Sequence, residues 1–222
     1  NFQMCRMHPG HTTVAVECSG RAAHSSRPEL GFNAIQVASR AIAQLELLAQ
    51  QWSKQRRFED HLASPFPVLN IGQIEGGSAV NIVADQCTIR VGFRPLPGDD
   101  TLVRVQEIKE CLRSVQQHAQ FGGGDLSVRV EQIAPALLTP AGTPLEHALC
   151  QHAASPEATA APFATDGGNL QEMGIASMIF GPGAIDVAHK ADEHVDLNEL
   201  VRCAKIAHSV IDKFCISPAP PA

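Results

Sequence analysis

The segment that decides the fold is residues 68–100, which read VLNIGQIEGGSAVNIVADQCTIRVGFRPLPGDD. Residues 68–74 and 87–93 are typical of strands, and the glycines that follow the first run mark a turn. The two predicted strands follow each other with no helix between them. The Pro-Leu-Pro-Gly sequence then opens a predicted helix, with Asp99 or Asp100 as its N-cap.

The flanking sequence adds one strand and one helix before this segment and one strand after it. Residues 12–19 form a predicted strand, and apolar residues at helical spacing predict a helix from residue 33 to about residue 50. Three glycines after the second helix are followed by a predicted strand at residues 126–130. The order β-α-β-β-α-β over about residues 12–132 is that of the ferredoxin-like fold, a small sheet with two helices on one face.

The remaining sequence is poor in strands. An apolar strand is predicted at residues 176–180, and helices are predicted at residues 144–154, 168–173 and 197–215. One strand cannot form a sheet, so this region is predicted to be the end of an α/β domain. The predicted fold class is therefore mixed α/β (α+β).

Composition excludes several classes of function. The net charge of -6 comes without a long basic stripe, which disfavours nucleic-acid binding, and no apolar stretch is long enough to span a membrane. The seven scattered cysteines form no C-x-x-C pair and indicate reduced thiols in the cytoplasm. We find no signal-peptide pattern at the start, and we expect the Pro-rich tail at residues 217–222 to be disordered.

The run after the predicted strand at residues 176–180 resembles the rim of an active site. It continues with Gly-Pro-Gly and then presents His189 close to Asp192 and Glu193. Loops at strand ends commonly carry catalytic groups, and imidazole is a good zinc ligand. His189 is therefore a candidate metal ligand, although a zinc site needs three or four ligands.

Four motifs, in order, resemble the M20 family of metal-dependent peptidases and amidohydrolases. The matching segments are residues 20–34, residues 70–82 with Arg-Pro-Leu-Pro-Gly at 94–98, residues 164–168, and residues 181–193. Within the family, the Arg-Pro-Leu-Pro-Gly segment at 94–98 and the Gly-Pro-Gly-Ala-Ile segment at 181–185 resemble the acetylornithine deacetylases most, and succinyl-diaminopimelate desuccinylases are close relatives. The resemblance implies a ferredoxin-like dimerisation domain, or lid, at residues 12–132. It assigns residues 1–11 and 133–222 to a zinc-peptidase-like α/β catalytic domain.

The resemblance also implies a reaction. Two metal ions, zinc or cobalt, polarise a water, a glutamate acts as base, and an amide of an N-acyl amino acid is hydrolysed. N-Acetylornithine in arginine biosynthesis is the expected substrate, and the lids are expected to pair into a homodimer. Of the family's metal ligands only the last, His189, has a match in residues 1–222. The chain is thus expected to be the C-terminal part of the enzyme and inactive alone.

Individual roles follow from the same resemblance, each beside a plainer alternative. His24 is expected to stabilise the oxyanion across the dimer, or merely to bond a loop amide. Asn81 contacts substrate, or is a turn asparagine in the left-handed conformation. Arg94 holds the substrate carboxylate, or pairs with Asp99 or Asp100.

The C-terminal motifs carry the other expected contacts. Thr165 contacts substrate, or, with Asp166, caps a helix. Gly181 and Gly183 allow the backbone to approach the substrate. His189 binds metal, and Asp192 or Glu193 orients its imidazole.

Two functions from other classes stay open. The chain is alternatively a non-catalytic dimerisation or interaction module, because most metal ligands have no match. A small-ligand sensor of ferredoxin-like fold is a weaker alternative that leaves the motifs after residue 163 unexplained. Other M20 activities, including dipeptidase activity, also remain open.

Overall fold

The computed structural model describes residues 1–58 and 61–216, so the predicted disordered tail lies outside the described residues. In chain order the elements are β1 Cys5–His8, β2 His11–Ser19, α1 Ala34–Trp52, β3 Val68–Gly76, β4 Gln86–Arg94, α2 Thr101–Phe121, β5 Asp125–Ala134, β6 Leu137–Leu138, α3 Pro144–Cys150, β7 Thr159–Ala160, α4 Gly167–Glu172 and α5 Leu197–Ile211. Short 3-10 turns lie at Pro28–Leu30 and Ile185–Val187. No helix among the described residues is long and apolar enough to cross a membrane.

The chain divides into two compact units. The first unit is Pro9–Ala136, and the second consists of Asn1–His8 together with the chain from Leu137 onward. Each is described by itself below.

The first unit is a four-stranded antiparallel sheet with strand order β3-β4-β2-β5. Alternate residues of β2 and β4, such as Val14, Val16, Ile89 and Val91, are buried in one core with the apolar faces of α1 and α2. The predicted β-α-β-β-α-β order is confirmed. Alternation of apolar and polar residues predicted these strands correctly, because the sheet has one buried face and one open face.

The open face of this sheet is polar. Arg129 pairs with Glu17 at 2.9 Å and with Glu131 at 3.2 Å. Arg90 pairs with Glu131 at 3.4 Å. The arginines in the middle of the open face are thus matched by carboxylates of neighbouring strands.

Helix caps agree with the sequence and resolve one ambiguity. The Asn33 side chain accepts a hydrogen bond from Ile35 N at 2.9 Å at the start of α1. Asp100, not Asp99, caps α2 by accepting from Leu102 N at 2.8 Å. Asp99 instead accepts from Leu96 N at 3.0 Å and closes the loop between β4 and α2.

The second unit has a three-stranded sheet of order β6-β1-β7, which the sequence analysis missed. The strand predicted at residues 176–180 is wrong: Ile179 forms only an isolated bridge with Cys5. Cys5 already pairs with Thr159 of β7 on one side, and β6 occupies the other side at Met7 and His8. One position of β1 is therefore left for Ile179, which is too little for a ladder.

One predicted helix is shorter than expected, and another changes type before its predicted end. The helix predicted to reach residue 154 ends at Cys150, and the Ala154 amide instead donates to the Phe2 carbonyl at 2.9 Å. The last helix, α5, ends at Ile211 and continues as a π-helical turn over Asp212–Ile216.

Candidate active-site residues

His24 lies where the first unit's sheet ends, after β2 and beside the chain that enters β4. Its Nδ1 accepts a hydrogen bond from the Ser26 backbone amide at 3.2 Å. A backbone N–H can only donate, so Nδ1 of the neutral ring carries no proton and Nε2 does. The exposed ring offers an N–H donor, which is the group that oxyanion stabilisation requires.

Asn81 lies beside His24. Its carbonyl accepts a hydrogen bond from Ser25 N at 2.9 Å, and the residue is exposed. Asn81 is not among the described residues with positive φ. The left-handed conformation therefore does not account for an asparagine at this position.

Arg94 ends β4 and is half-buried. Its Nη1 atom is buried without a hydrogen-bond partner among the described residues. The alternative ion pair with Asp99 or Asp100 is wrong, because Asp99 pairs with Arg104 at 3.1 Å and Asp100 caps α2. Within the described chain the Arg94 guanidinium is left with capacity to bind an anion.

Arg94 and the His24–Asn81 pair lie at opposite ends of the same sheet. Asn81 precedes the nine-residue strand β4, and Arg94 is its last residue. Nine residues in extended conformation span about 30 Å. One small substrate cannot contact both ends of a single copy of this sheet.

Thr165 contacts His8, which lies outside the four motifs of the sequence analysis. The Thr165 amide donates to Nε2 of His8 at 3.3 Å, and Thr165 Oγ1 lies 3.0 Å from the same nitrogen. Thr165 Oγ1 also accepts from Gly167 N at 3.1 Å, whereas Asp166 makes no side-chain cap. His8 is fully buried, and 157 residues separate it from Thr165, so no local pattern could reveal the contact.

Gly181 and Gly183 line a cavity of about 400 Å³ in the second unit, which Cys5, Phe163 and Ala188 also line. Gly183 has φ +78, a conformation that favours glycine, and its amide donates to Glu199 at 2.8 Å. Nothing lies within 4 Å of a Cβ placed on Gly181. The backbone conformation at position 183 therefore requires glycine, whereas at position 181 a side chain would point into open space.

His189 is exposed and has φ 60, a left-handed conformation that is uncommon outside glycine. Such residues cost about 1–3 kcal/mol and occur preferentially at functional sites. Glu193 accepts from the His189 backbone amide at 3.3 Å, and the Asp192 carbonyl lies 2.7 Å from His194 Nδ1. Glu193 thus orients the backbone of His189, not the imidazole as expected.

Residues 6–120 match a family domain described as a peptidase dimerisation domain. The chain belongs to the M20 family. Its first unit carries the M20 dimerisation domain, as the four motifs implied.

Similar proteins extend this finding. Acetylornithine deacetylases of Myxococcus xanthus and Edwardsiella ictaluri are each 30% identical to this M20 chain, over 95% of the chain and 54% of the relative. A tripeptidase structure from Staphylococcus aureus matches with a TM-score of 0.70 and 23% identity, over 95% of the chain and 53% of its own. A Bacillus cereus aminopeptidase matches with a TM-score of 0.69 and 24% identity, over the same shares. The chain spans about half the length of the curated relatives that it matches.

The described residues do not by themselves fit a metal ion of the kind expected for an M20 enzyme. No group of three or more His, Cys, Asp or Glu side chains suited to a metal lies within residues 1–58 and 61–216. His189 offers one nitrogen from an exposed loop. No chemical step through a metal is derived from this chain.

Proposed function

We propose that the chain is the lid-bearing part of an M20 amidohydrolase that hydrolyses the amide of an N-acyl amino acid. N-Acetylornithine, deacetylated in arginine biosynthesis, is the first candidate substrate because the deacetylases cited above are 30% identical to this chain over 95% of its length. The observation that carries the proposal is Arg94, whose buried Nη1 has no partner within residues 1–58 and 61–216, while Arg90 and Arg129 of the same sheet are paired. A guanidinium held this way suits the carboxylate that every N-acyl amino acid carries.

We assign roles to the other candidate residues on the same basis. His24 donates from Nε2 to the developing oxyanion, and Asn81 contacts the substrate beside it. Thr165 contacts the substrate from a position that is fixed by the bonds of its amide and hydroxyl to His8. Gly181 and Gly183 form the backbone wall at the cavity, and His189 supplies one ligand to a two-metal site of zinc or cobalt.

The separation of the two sheet ends supports a homodimer. If His24 and Arg94 act on one substrate, they must come from two copies, because about 30 Å separates them in one. A two-fold dimer brings the same surfaces of both copies together and makes two such sites. We propose this arrangement for the cytoplasmic enzyme.

Metal content and activity test the proposal. After dialysis against micromolar zinc, the purified 222-residue chain is expected to retain less than one tightly bound zinc and to hydrolyse no N-acetylornithine. A longer protein that adds the N-terminal half found in the relatives is expected to hydrolyse N-acetylornithine in a metal-dependent reaction. Absence of hydrolysis by that longer, metal-loaded protein would reject the proposed reaction. Retention of one or two zinc ions by the short chain would reject the assignment of ligands.

A non-catalytic dimerisation module is the second candidate. It is favoured by the match to a dimerisation domain and by the missing ligand groups in the described residues. Light scattering separates it from a monomeric sensor, and activity of the longer protein separates it from the enzyme.

A further inference from the structure

His11 lies beside Arg94 on the sheet of the first unit. β2 and β4 are antiparallel, with Thr12 opposite Phe93, so the same register places His11 opposite Arg94. Directly opposite residues of an antiparallel pair project to the same face, with Cβ atoms about 5 Å apart. The imidazole and the guanidinium are therefore neighbours on the open face.

Both side chains leave a polar atom unsatisfied. His11 Nδ1 and Arg94 Nη1 are buried, and neither has a hydrogen-bond partner among the described residues. Buried polar atoms normally have partners, so two orphaned nitrogens on adjacent residues indicate a shared acceptor. Both residues as a whole are half-buried, but the two orphaned nitrogens are covered, so an anion reaches them only when the neighbouring side chains shift.

The surroundings favour a carboxylate over a cation or an apolar group. The residue opposite His11 on β5 is Ala134, and Gly92 on β4 is the residue beside the ring, where an added Cβ would lie 3.6 Å from His11 Cε1. Arg94 is the charged neighbour of His11, and no carboxylate of the described residues pairs with Arg94. The pair thus combines a fixed positive charge and a second nitrogen beside neighbours with small side chains.

We propose that His11 is a second hydrogen-bond donor to the carboxylate that Arg94 binds, and so a specificity-determining residue. This inference rests on the proposed role of Arg94 and goes beyond it. Burial, together with the positive charge of Arg94, lowers the pKa of His11, so the free ring is neutral near pH 7. A bound carboxylate places a negative charge beside the ring and favours the imidazolium, so binding takes up a proton as the pH falls.

Acetate and acetamide are the probes, since acetamide has the same shape without the charge. The 222-residue chain is titrated with each while the His11 ring resonances, assigned by comparison with His11→Phe, are followed by NMR. Acetate is expected to shift His11 saturably and acetamide is not. Arg94→Gln is expected to abolish the effect, and Arg129→Gln, on the same face but paired with Glu17 and Glu131, is expected to leave it unchanged.

Variants at His11 test its contribution separately. His11→Phe keeps a ring without the donor and is expected to weaken acetate binding about tenfold, the loss typical of a hydrogen bond to a charged group. His11→Asn places an amide N–H near the position of Nδ1 and is expected to restore most of the affinity. The wild type is expected to bind acetate more tightly as the pH falls from about 7.5 to 6, and His11→Asn is expected to lose that dependence.

The outcomes distinguish the two levels of the proposal. If Arg94→Gln abolishes binding but His11→Phe binds acetate as the wild type does, His11 is not a donor and the role of Arg94 stands. If the wild type shows no saturable response to acetate, the carboxylate-binding roles of both Arg94 and His11 are rejected. If His11→Phe does not fold, the pH dependence of the wild type against His11→Asn decides, and equal dependence overturns the role of His11.

Discussion

Asp99 and Asp100 are adjacent in sequence and have different structural roles, so their substitution by alanine should have different costs. The Asp99 side chain is 7% exposed and lies 3.1 Å from Arg104, whose side chain is 10% exposed. Asp99 also contacts Arg57 and accepts from Leu96 N at 3.0 Å. Asp100 is exposed and only caps α2.

Asp99→Ala removes one partner from a buried ion pair, a change that typically costs about 3–5 kcal/mol. We expect the lower end, about 3 kcal/mol, because Arg104 keeps Gln55 at 2.8 Å and Glu107 at 3.1 Å. Asp100→Ala loses a cap, which costs about 1 kcal/mol. With a slope of about 2 kcal/mol per M, the urea midpoints fall by about 1.5 M and about 0.5 M.

Trp52 makes the assay specific to the first unit. It is the single tryptophan of the chain, it is buried, and its indole N–H donates to Glu107 at 2.7 Å. Arg104 lies over its ring at 5.2 Å. Urea unfolding followed by Trp52 fluorescence therefore reports the unit in which the ion pair lies. Equal midpoints for the two variants, or a larger loss for Asp100→Ala, would refute the assignment of a buried ion pair to Asp99.

Two further predictions concern titration. The pKa of His11 is lowered from 6.5 by burial and then by Arg94, so the folded chain binds this proton less readily than the unfolded chain. Protonation of His11 therefore destabilises the folded chain, an effect that is absent above about pH 6.5 and grows as the pH falls. In urea titrations, His11→Phe should lose less stability than the wild type between about pH 7.5 and 5.5. Burial raises the pKa of Cys18 to about 12 and that of Cys111 to about 11, whereas Cys215 is exposed. Iodoacetamide at mildly alkaline pH should therefore alkylate Cys215 first, and peptide mass spectrometry showing early modification of Cys18 would contradict its burial.

The first unit was predictable because its pattern is local. Alternating residues such as Val14, Val16, Ile89 and Val91 face one core. A strand with one buried face therefore has an alternating apolar pattern that can be read from its own sequence. The helix caps are equally local. Which of Asp99 and Asp100 caps α2 could not be predicted locally, because it depends on where Arg104 lies after α2 has formed.

The second unit was less predictable because its strands are short and paired across long stretches of chain. β6 and β7 contain two residues each, too few to show any period. The apolar run at residues 176–180 is half-buried after its exposed first residue and forms one bridge, so its composition reflects packing and not a ladder. The contact between His8 and Thr165 could not be predicted for the same reason.

The distance between His24 and Arg94 allows the dimer proposal to be tested by mixing variants. In the longer, active protein, His24→Ala and Arg94→Gln should each disable both sites of a homodimer. In a mixed dimer, one site receives both defects and the other receives neither, because each site takes His24 from one copy and Arg94 from the other. Random exchange makes half of the dimers mixed with one intact site of two, so about one quarter of the wild-type activity should return. If both residues came from one copy, every site of every dimer would carry a defect and mixing two inactive proteins would restore nothing.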